Sequence, residues 1–539
     1  MDVKKVPQAF VREATGLVRQ ITTADAVIIN LVIANLVIGS VGLLVLPYTL
    51  PGVNLIYAVL VAAVTSFSLS IVYWLFNVAM PRSGGDYVYN TRSLFPSIGF
   101  AANFSLTIWT IFYIAAYASF VASLGLSGWL TTLGTVDGNT GLVNLGNYFG
   151  TQNGEFITAT IVNVFMAALV ITGLRVTLNV LRVLFVVAIV GTVTAIVVIA
   201  ASTHAQFVSA FSAYANYQGV INAANTSGVF PTVSNWNQLG PSLLGVGFAA
   251  ETLIFFQYSS YVGGEIRNAR RAAPVALIGS LLILVGFVLL MAYGFTYTIG
   301  DQFLGAIYAL FYSGSSAYPL SVPPSLVFFA GILAGKNQLI LNLIGVGITA
   351  WSLAIVPFLY LTMSRNVMAW SFDRILPERL SRVSPRFHSP TYAILFAFIL
   401  SEAFLIPYTY VAQFVQFFAA STAGLVIDFF IVSIAAIFFP LRKNLYANSG
   451  IQNKKIGPIP VISLVGVIAA SFIAVLLYGF FTQPGFLIYV PGNTTDTIIG
   501  TFVALSLFIG GFIVYYTSKF ARRARGIDIE MALKEIPPE

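Results

Sequence analysis

Three carboxylates, Glu251, Glu402 and Asp428, fall inside long apolar stretches of this 539-residue chain. A charge at the centre of a bilayer costs about 2.5–3.5 kcal/mol on insertion scales, so such residues carry function or take up a proton. Glu251, in the middle of its stretch, is the first choice for a group that cycles between protonated and ionised forms. Asp428 lies within a later stretch, and Glu402 lies near the end of its own, within reach of the interface. The competing reading for each is a permanently protonated structural acid. A second chemistry comes from the backbone, because Ile38-Gly39-Ser40-Val41-Gly42 places two glycines and a serine in one turn, with Pro47 beyond. Each glycine weakens a helix by about 1 kcal/mol and leaves the backbone bare, so N–H groups there can hold an anion. Close helix packing is the plainer use of small residues in membranes. Cysteine is absent and there are two histidines, His204 and His388, which excludes disulfides, cysteine zinc sites, iron–sulfur clusters and thiol catalysis. With no Gly-x-Ser-x-Gly turn either, the sequence predicts no enzyme, no cofactor and no metal.

The elements that position these residues follow from composition. Apolar residues make up 58% of the chain and charged residues 8%, against roughly 25% charged in a soluble domain. With a mean hydropathy of +0.89 this is one membrane bundle embedded in lipid. The net charge of +8 is spread over many loops rather than along a stripe, which argues against nucleic acid as a partner. Hydropathy gives twelve spans, at 25–47, 53–80, 98–127, 156–174, 178–202, 241–263, 274–298, 338–362, 389–407, 411–439, 459–481 and 497–516. Of the 26 Lys and Arg residues, 25 then fall on one side and only Lys336 on the other. That asymmetry predicts cytoplasmic N- and C-termini, in segments 1–24 and 517–539, in the cell membrane. No small-residue cleavage site follows Lys4, Lys5, Arg12 and Arg19, so no removable signal peptide is expected. The loops 128–155 and 202–240 lack Lys and Arg and fall outside, as do the sequons at Asn225 and Asn493. Val322 to Gly335 is too short to span and is expected to lie over the bundle as a lid, while Arg365 to Pro377 reads as an amphipathic helix on the membrane surface.

Four motifs in order give the chain a resemblance to the amino acid, polyamine and organocation transporter superfamily. They are Gly39-Ser40-Val41-Gly42 with Pro47, Pro81-Arg82-Ser83-Gly84-Gly85-Asp86-Tyr87-Val88-Tyr89, Gly264-Glu265-Ile266-Arg267 running to Pro274, and Ser364-Arg365-Asn366-Val367 running to Pro377 with Ser389-Pro390. The resemblance covers roughly residues 20 to 440. It implies an all-α bundle of two inverted five-helix repeats, at 25–202 and 241–440 around the loop 203–240, with helices 11 and 12 in 441–516 and the substrate between broken helices 1 and 6. Counting the same depth into span six as from residue 25 to Gly39 places the second break at Phe255 to Ser260. The family's usual glycine is missing there: the chain reads Phe255-Phe256-Gln257-Tyr258-Ser259-Ser260.

For an α-amino acid, the resemblance implies that the carboxylate sits on amides around Ser40, Val41 and Gly42, and the ammonium on carbonyls near Phe255, Phe256 and Ser259. Trp109, Tyr113 and Tyr258 would wall the pocket. The coupling ion would be a proton, through Glu251 or Asp428, or sodium, through hydroxyls such as Thr349 and Ser352. The function expected is secondary active transport of amino acids, with a polyamine or cationic amino acid as the alternative substrate and a channel or receptor-like protein as the competing class.

Overall fold

The computed structural model describes residues 17, 19–411, 414, 416–483 and 488–533. In chain order its principal helices are α1 Thr23–Ala34, α2 Leu36–Thr49, α3 Leu55–Ala79, α4 Asp86–Ser93, α5 Pro96–Asp137, α6 Gln152–Ile171, α7 Leu174–Ala201, α8 Val246–Leu253 and α9 Ala269–Ile299. They continue with α10 Asp301–Tyr312, α11 Leu326–Ala334, α12 Gln338–Phe372, α13 Thr391–Tyr410, α14 Gln416–Phe438, α15 Val461–Thr482 and α16 Thr494–Arg523. One hairpin pairs Lys455–Ile456 with Ile459–Pro460.

Among the described residues eleven helical runs are long and apolar enough to cross a membrane, with α1 and α2 counted together. The sequence expects twelve. The stretch 241–263 accounts for the difference, because Leu239–Leu244 and α8 are both short and the chain then leaves the α-helix for irregular and 3-10 backbone as far as Glu265. Position in the bundle divides the spans. The apolar window of α5 is 89% buried and that of α16 only 11% buried, though both are apolar enough to span. The buried helix carries the polar side chains: Asn103, Ser105, Thr107 and Thr110 on α5 are all fully enclosed. On the outer helices, Phe165, Val183, Phe502 and Ile513 are each more than 60% exposed, as suits a surface solvated by lipid.

Three expectations change. The loops 128–155 and 202–240 are largely helical, through the end of α5, Thr140–Phe149, His204–Phe211 and Tyr217–Thr226. The short apolar segment before Gly335 is α11, and Phe328, Phe329 and Ala330 within it are fully buried, with Phe329 packed on Phe207 and Phe303. It is an enclosed helix rather than one resting exposed over the bundle. The expected surface helix Arg365 to Pro377 is instead, as far as Phe372, the last two turns of α12, with Arg365, Asn366, Val367 and Trp370 buried and residues 373–377 outside the helix. Its mixture of charged and apolar residues reflects buried ion pairs.

Candidate functional site

The first span is interrupted at Asn35. This residue takes a left-handed conformation (φ 49°) that ends α1, and its side-chain oxygen accepts the amides of Val37 and Ile38 that open α2. Asparagine tolerates this conformation because its short polar side chain can bond the neighbouring backbone, so one residue stops one helix and caps the next. The Gly39 amide donates to the Asn35 carbonyl, and Gly39, Ser40, Val41 and Gly42 all lie within α2. The expected break is therefore displaced by one turn, and the amides of Ser40, Val41 and Gly42 are inside a continuous helix. Gly39 serves closeness instead, since a Cβ there would overlap the Thr252 hydroxyl of α8. The Ser40 hydroxyl bonds the Val37 carbonyl at 2.6 Å.

The second interruption begins after Leu253 and is long. Phe255, Phe256, Tyr258 and Ser259 are all buried in it. Irregular backbone at membrane depth needs partners from elsewhere in the protein, and other helices supply them. Asn30 of α1 accepts the Ser259 amide at 2.8 Å and donates to the Ala276 carbonyl of α9 at 2.7 Å. Thr110 of α5 meets the Tyr258 hydroxyl at 3.3 Å, Asn77 of α3 donates to Ser260 Oγ at 2.7 Å, and Trp351 of α12 donates to the Val32 carbonyl near the end of α1. The two interruptions thus lie side by side. Three enclosed polar groups around them have no hydrogen-bond partner: Asn35 Nδ2, Thr252 Oγ1 and the whole Gln257 side-chain amide.

The later part of the second interruption is stitched to one end of the bundle. Gly84 donates to the Tyr261 carbonyl, and Ile21 and Arg267 exchange bonds with Glu265 and Ile21. Arg365 holds Glu265 through both carboxylate oxygens at 2.8 and 3.1 Å, with both side chains 1% exposed. Arg92 of α4 reaches Asp373 at 2.7 Å, where the Tyr87 hydroxyl also donates. At this same end, cavities of about 400 and 260 Å³ share Gln20 and Arg175, with Arg182 and Arg267 lining one and Arg386 the other.

A family model described as amino acid permease matches residues 23–513, which takes in both interruptions and every ion pair just described. The chain belongs to the amino acid permease family. A relative, "Uncharacterized protein 399" of Sulfolobus islandicus rod-shaped virus 1, is 23% identical over 376 residues, 69% of each chain.

Within this permease, the other expected site residues scatter. Trp109 lies against Gly424 of α14, and Tyr113 bonds Thr422 and stacks on Phe418 at 4.7 Å, so both face α14 and Thr110 is the α5 residue that reaches the second interruption. Thr349 packs on Gly125 of α5 and, like Ser352, returns its hydroxyl to its own helix. Glu402 is held by Asn163 at 2.8 Å and Thr160 at 3.3 Å on α6, which gives it structural partners instead of an interface. Glu251 belongs to α8, and its side chain lies outside the described residues.

Asp428 is fully buried and receives Asn90 Nδ2 at 3.1 Å. Beside it lies an acid that the sequence reading quoted in a motif without giving it a role. Asp86, at the start of α4, accepts Tyr73 at 2.8 Å, Asn103 at 2.6 Å and the Tyr261 hydroxyl from the second interruption. Burial pushes the Asp86 carboxyl above its ordinary range, against those hydrogen bonds. The available signal was the run Gly84-Gly85-Asp86-Tyr87, where two glycines with positive φ fold an acid back under the bundle.

Proposed function

We propose that this permease is a secondary active transporter for amino acids, which binds its substrate between the two helix interruptions and exposes it alternately to either side. The observation that carries the reading is the pairing of the interruptions through Asn30, which spans from α1 to Ser259 and α9, around polar groups left without partners. In this proposal the substrate carboxylate takes the amide end of α2 at Leu36 to Ile38, where the Asn35 side-chain oxygen now sits as a carboxylate oxygen would. The α-ammonium takes backbone carbonyls at the end of α1 and in the second interruption, and Gln257 and Thr252 contact the remainder. Supporting it, the positive end of one half-helix and the negative end of the other lie within one turn of each other at Asn35.

The bundle end closed by Arg365–Glu265 and Arg92–Asp373 is then the cytoplasmic gate, in keeping with its arginines, and the protein faces outward or is occluded. Opening requires those pairs to part together, because a single buried charge left behind costs several kcal/mol. The function is tested by counterflow in proteoliposomes, with unlabelled amino acids and polyamines inside and labelled ones outside. Transient accumulation of a labelled amino acid is expected; accumulation of polyamines alone, or of nothing, overturns the reading.

A further inference from the structure

Asp86 and Asp428 come from different parts of the chain, α4 and α14, yet Asn90, one turn along α4 from Asp86, bonds Asp428 and brings the two acids to one place. Both are enclosed, at 0% exposure. Their hydrogen-bond donors do not suffice for two carboxylates. Asp86 takes three, from Tyr73, Tyr261 and Asn103, and all are neutral. Asp428 takes one, Asn90 Nδ2 on Oδ1, and its Oδ2 has no donor at all. Asn90 is also fully buried, and its own carbonyl oxygen likewise lacks a donor. So two enclosed acceptors at the same place are each missing a hydrogen. Two adjoining buried carboxyl groups cannot both ionise, and a proton on Asp428 Oδ2 is the smallest group that satisfies that oxygen.

We propose that Asp86 and Asp428 together hold one transported proton, and that this pair is the coupling site of the permease. The proposal rests on the transport reading above. The bound proton sits on Asp428 Oδ2 and is shared with Asp86, which keeps the Tyr73, Tyr261 and Asn103 bonds. The titratable groups facing the pair are Tyr73 of α3, with Tyr89 of α4 behind it, and Tyr258 and Tyr261 of the second interruption. Arg92, the cation of α4, is committed to Asp373. Loss of the proton leaves two adjoining negative charges, which drive α4 and α14 apart.

The pair is placed to act on the gate. Tyr261 joins Asp86 to the interrupted segment, and Tyr89 and Asn90 lie three and four residues along α4 from Asp86 on the way to Arg92, so the acid that binds the proton and the arginine that closes the cytoplasmic end share one two-turn helix. Through Asn103 the network continues to Trp370 at 2.7 Å and, through Thr107, to Asn366 on α12. Proton release to the cytoplasm is thereby tied to parting of the gate.

The test uses Asp86→Asn and Asp428→Asn in the full-length protein, compared in counterflow and in accumulation driven by an imposed pH gradient. One proton per substrate allows up to about tenfold accumulation per pH unit. The expected result is that the wild type accumulates substrate and that both variants lose the accumulation driven by the pH gradient. Accumulation that persists in either variant overturns the proposal, as does accumulation driven by sodium in the wild type and lost in the variants, which would make the pair a metal-cation site. Infrared titration of the purified protein gives a readout that needs no transport. Beside the Asp301 carboxyl, which titrates near pH 7, one further protonated carboxyl stretch is expected, removed by either substitution, and its absence from the wild type, or its survival in both variants, refutes a shared proton. Failure of wild-type counterflow would instead sink the transport reading and leave the infrared result to judge the pair.

Discussion

The two helix interruptions are built in opposite ways. The first is a single residue, Asn35, that bonds its own flanking amides and needs almost nothing from the rest of the protein. The second runs from Ile254 toward Arg267 and is held by Asn30, Asn77, Thr110, Asp86 and Arg365, one or more from each of five other helices or turns. A self-contained break is a fixed pivot with its polar ends presented in place. A break held from outside changes when its holders move, and four of the five holders sit on elements that also meet the closed end of the bundle or the acid pair. The difference teaches where motion should originate: in the second interruption, about the first.

The contrast can be broken most severely at the outside-held segment. Arg365→Ala leaves the buried Glu265 side chain without its partner and should destabilise the protein by about 3–5 kcal/mol, read as lost folded yield and a lower thermal midpoint in detergent. Pairing it with Glu265→Gln should recover a large part. Asn30→Ala strips partners from the Ser259 amide and the Ala276 carbonyl, and the loss should be about 2–4 kcal/mol, with amide exchange accelerated at residues 254–268 and unchanged at α2. Equal acceleration at both interruptions would erase the distinction.

At the self-contained break the effects are smaller. Asn35→Ala loses the cap and puts a Cβ in left-handed backbone, for about 1–3 kcal/mol, whereas Asn35→Gly should lose only a few tenths. Thermal midpoints of the two variants check this, and equal losses would mean that the backbone there is not held left-handed. The smallest effect concerns neither break. Asp301, at the start of α10, has its carboxyl pushed up from 3.8 to about 7 by burial, against a bond from Thr296. The folded protein therefore holds a proton that the unfolded chain releases, so this contribution is full below pH 4 and fades as pH rises through 7. The thermal midpoint should drop by roughly a few degrees at most between pH 5 and pH 8, and Asp301→Asn should flatten that slope.

Much of this is legible in the sequence. Hydropathy located the long helices because a membrane span must be about 20 apolar residues whatever packs against it. It could not tell α5 from α16, since lipid and protein interior select the same residue types. The first break lies one turn before the glycines that the sequence offers as helix breakers. In fact Gly39 makes room for Thr252 inside a helix, while Asn35, an unremarkable polar residue in an apolar run, supplies the left-handed turn and cap. The second expected window, Phe255 to Ser260, lies within the irregular stretch, where aromatics and serines take the place of the family's glycine. Asp86 escaped because intramembrane acids were sought within spans, and it enters the core from a connection. The end of α12 looked amphipathic because a buried arginine beside apolar residues has the same pattern as one facing water.

The most direct test of the central claim uses a natural advantage of this chain, which contains no cysteine. Thr252→Cys places one small thiol at the contact between the two interruptions, where the Thr252 hydroxyl has no partner. Its reaction with a membrane-impermeant thiol reagent is measured in proteoliposomes with and without a mixture of the proteinogenic amino acids. The account predicts labelling that amino acids suppress and that polyamines leave unchanged. A thiol that never reacts, or reacts equally with and without amino acids, would contradict a substrate site between the two broken helices.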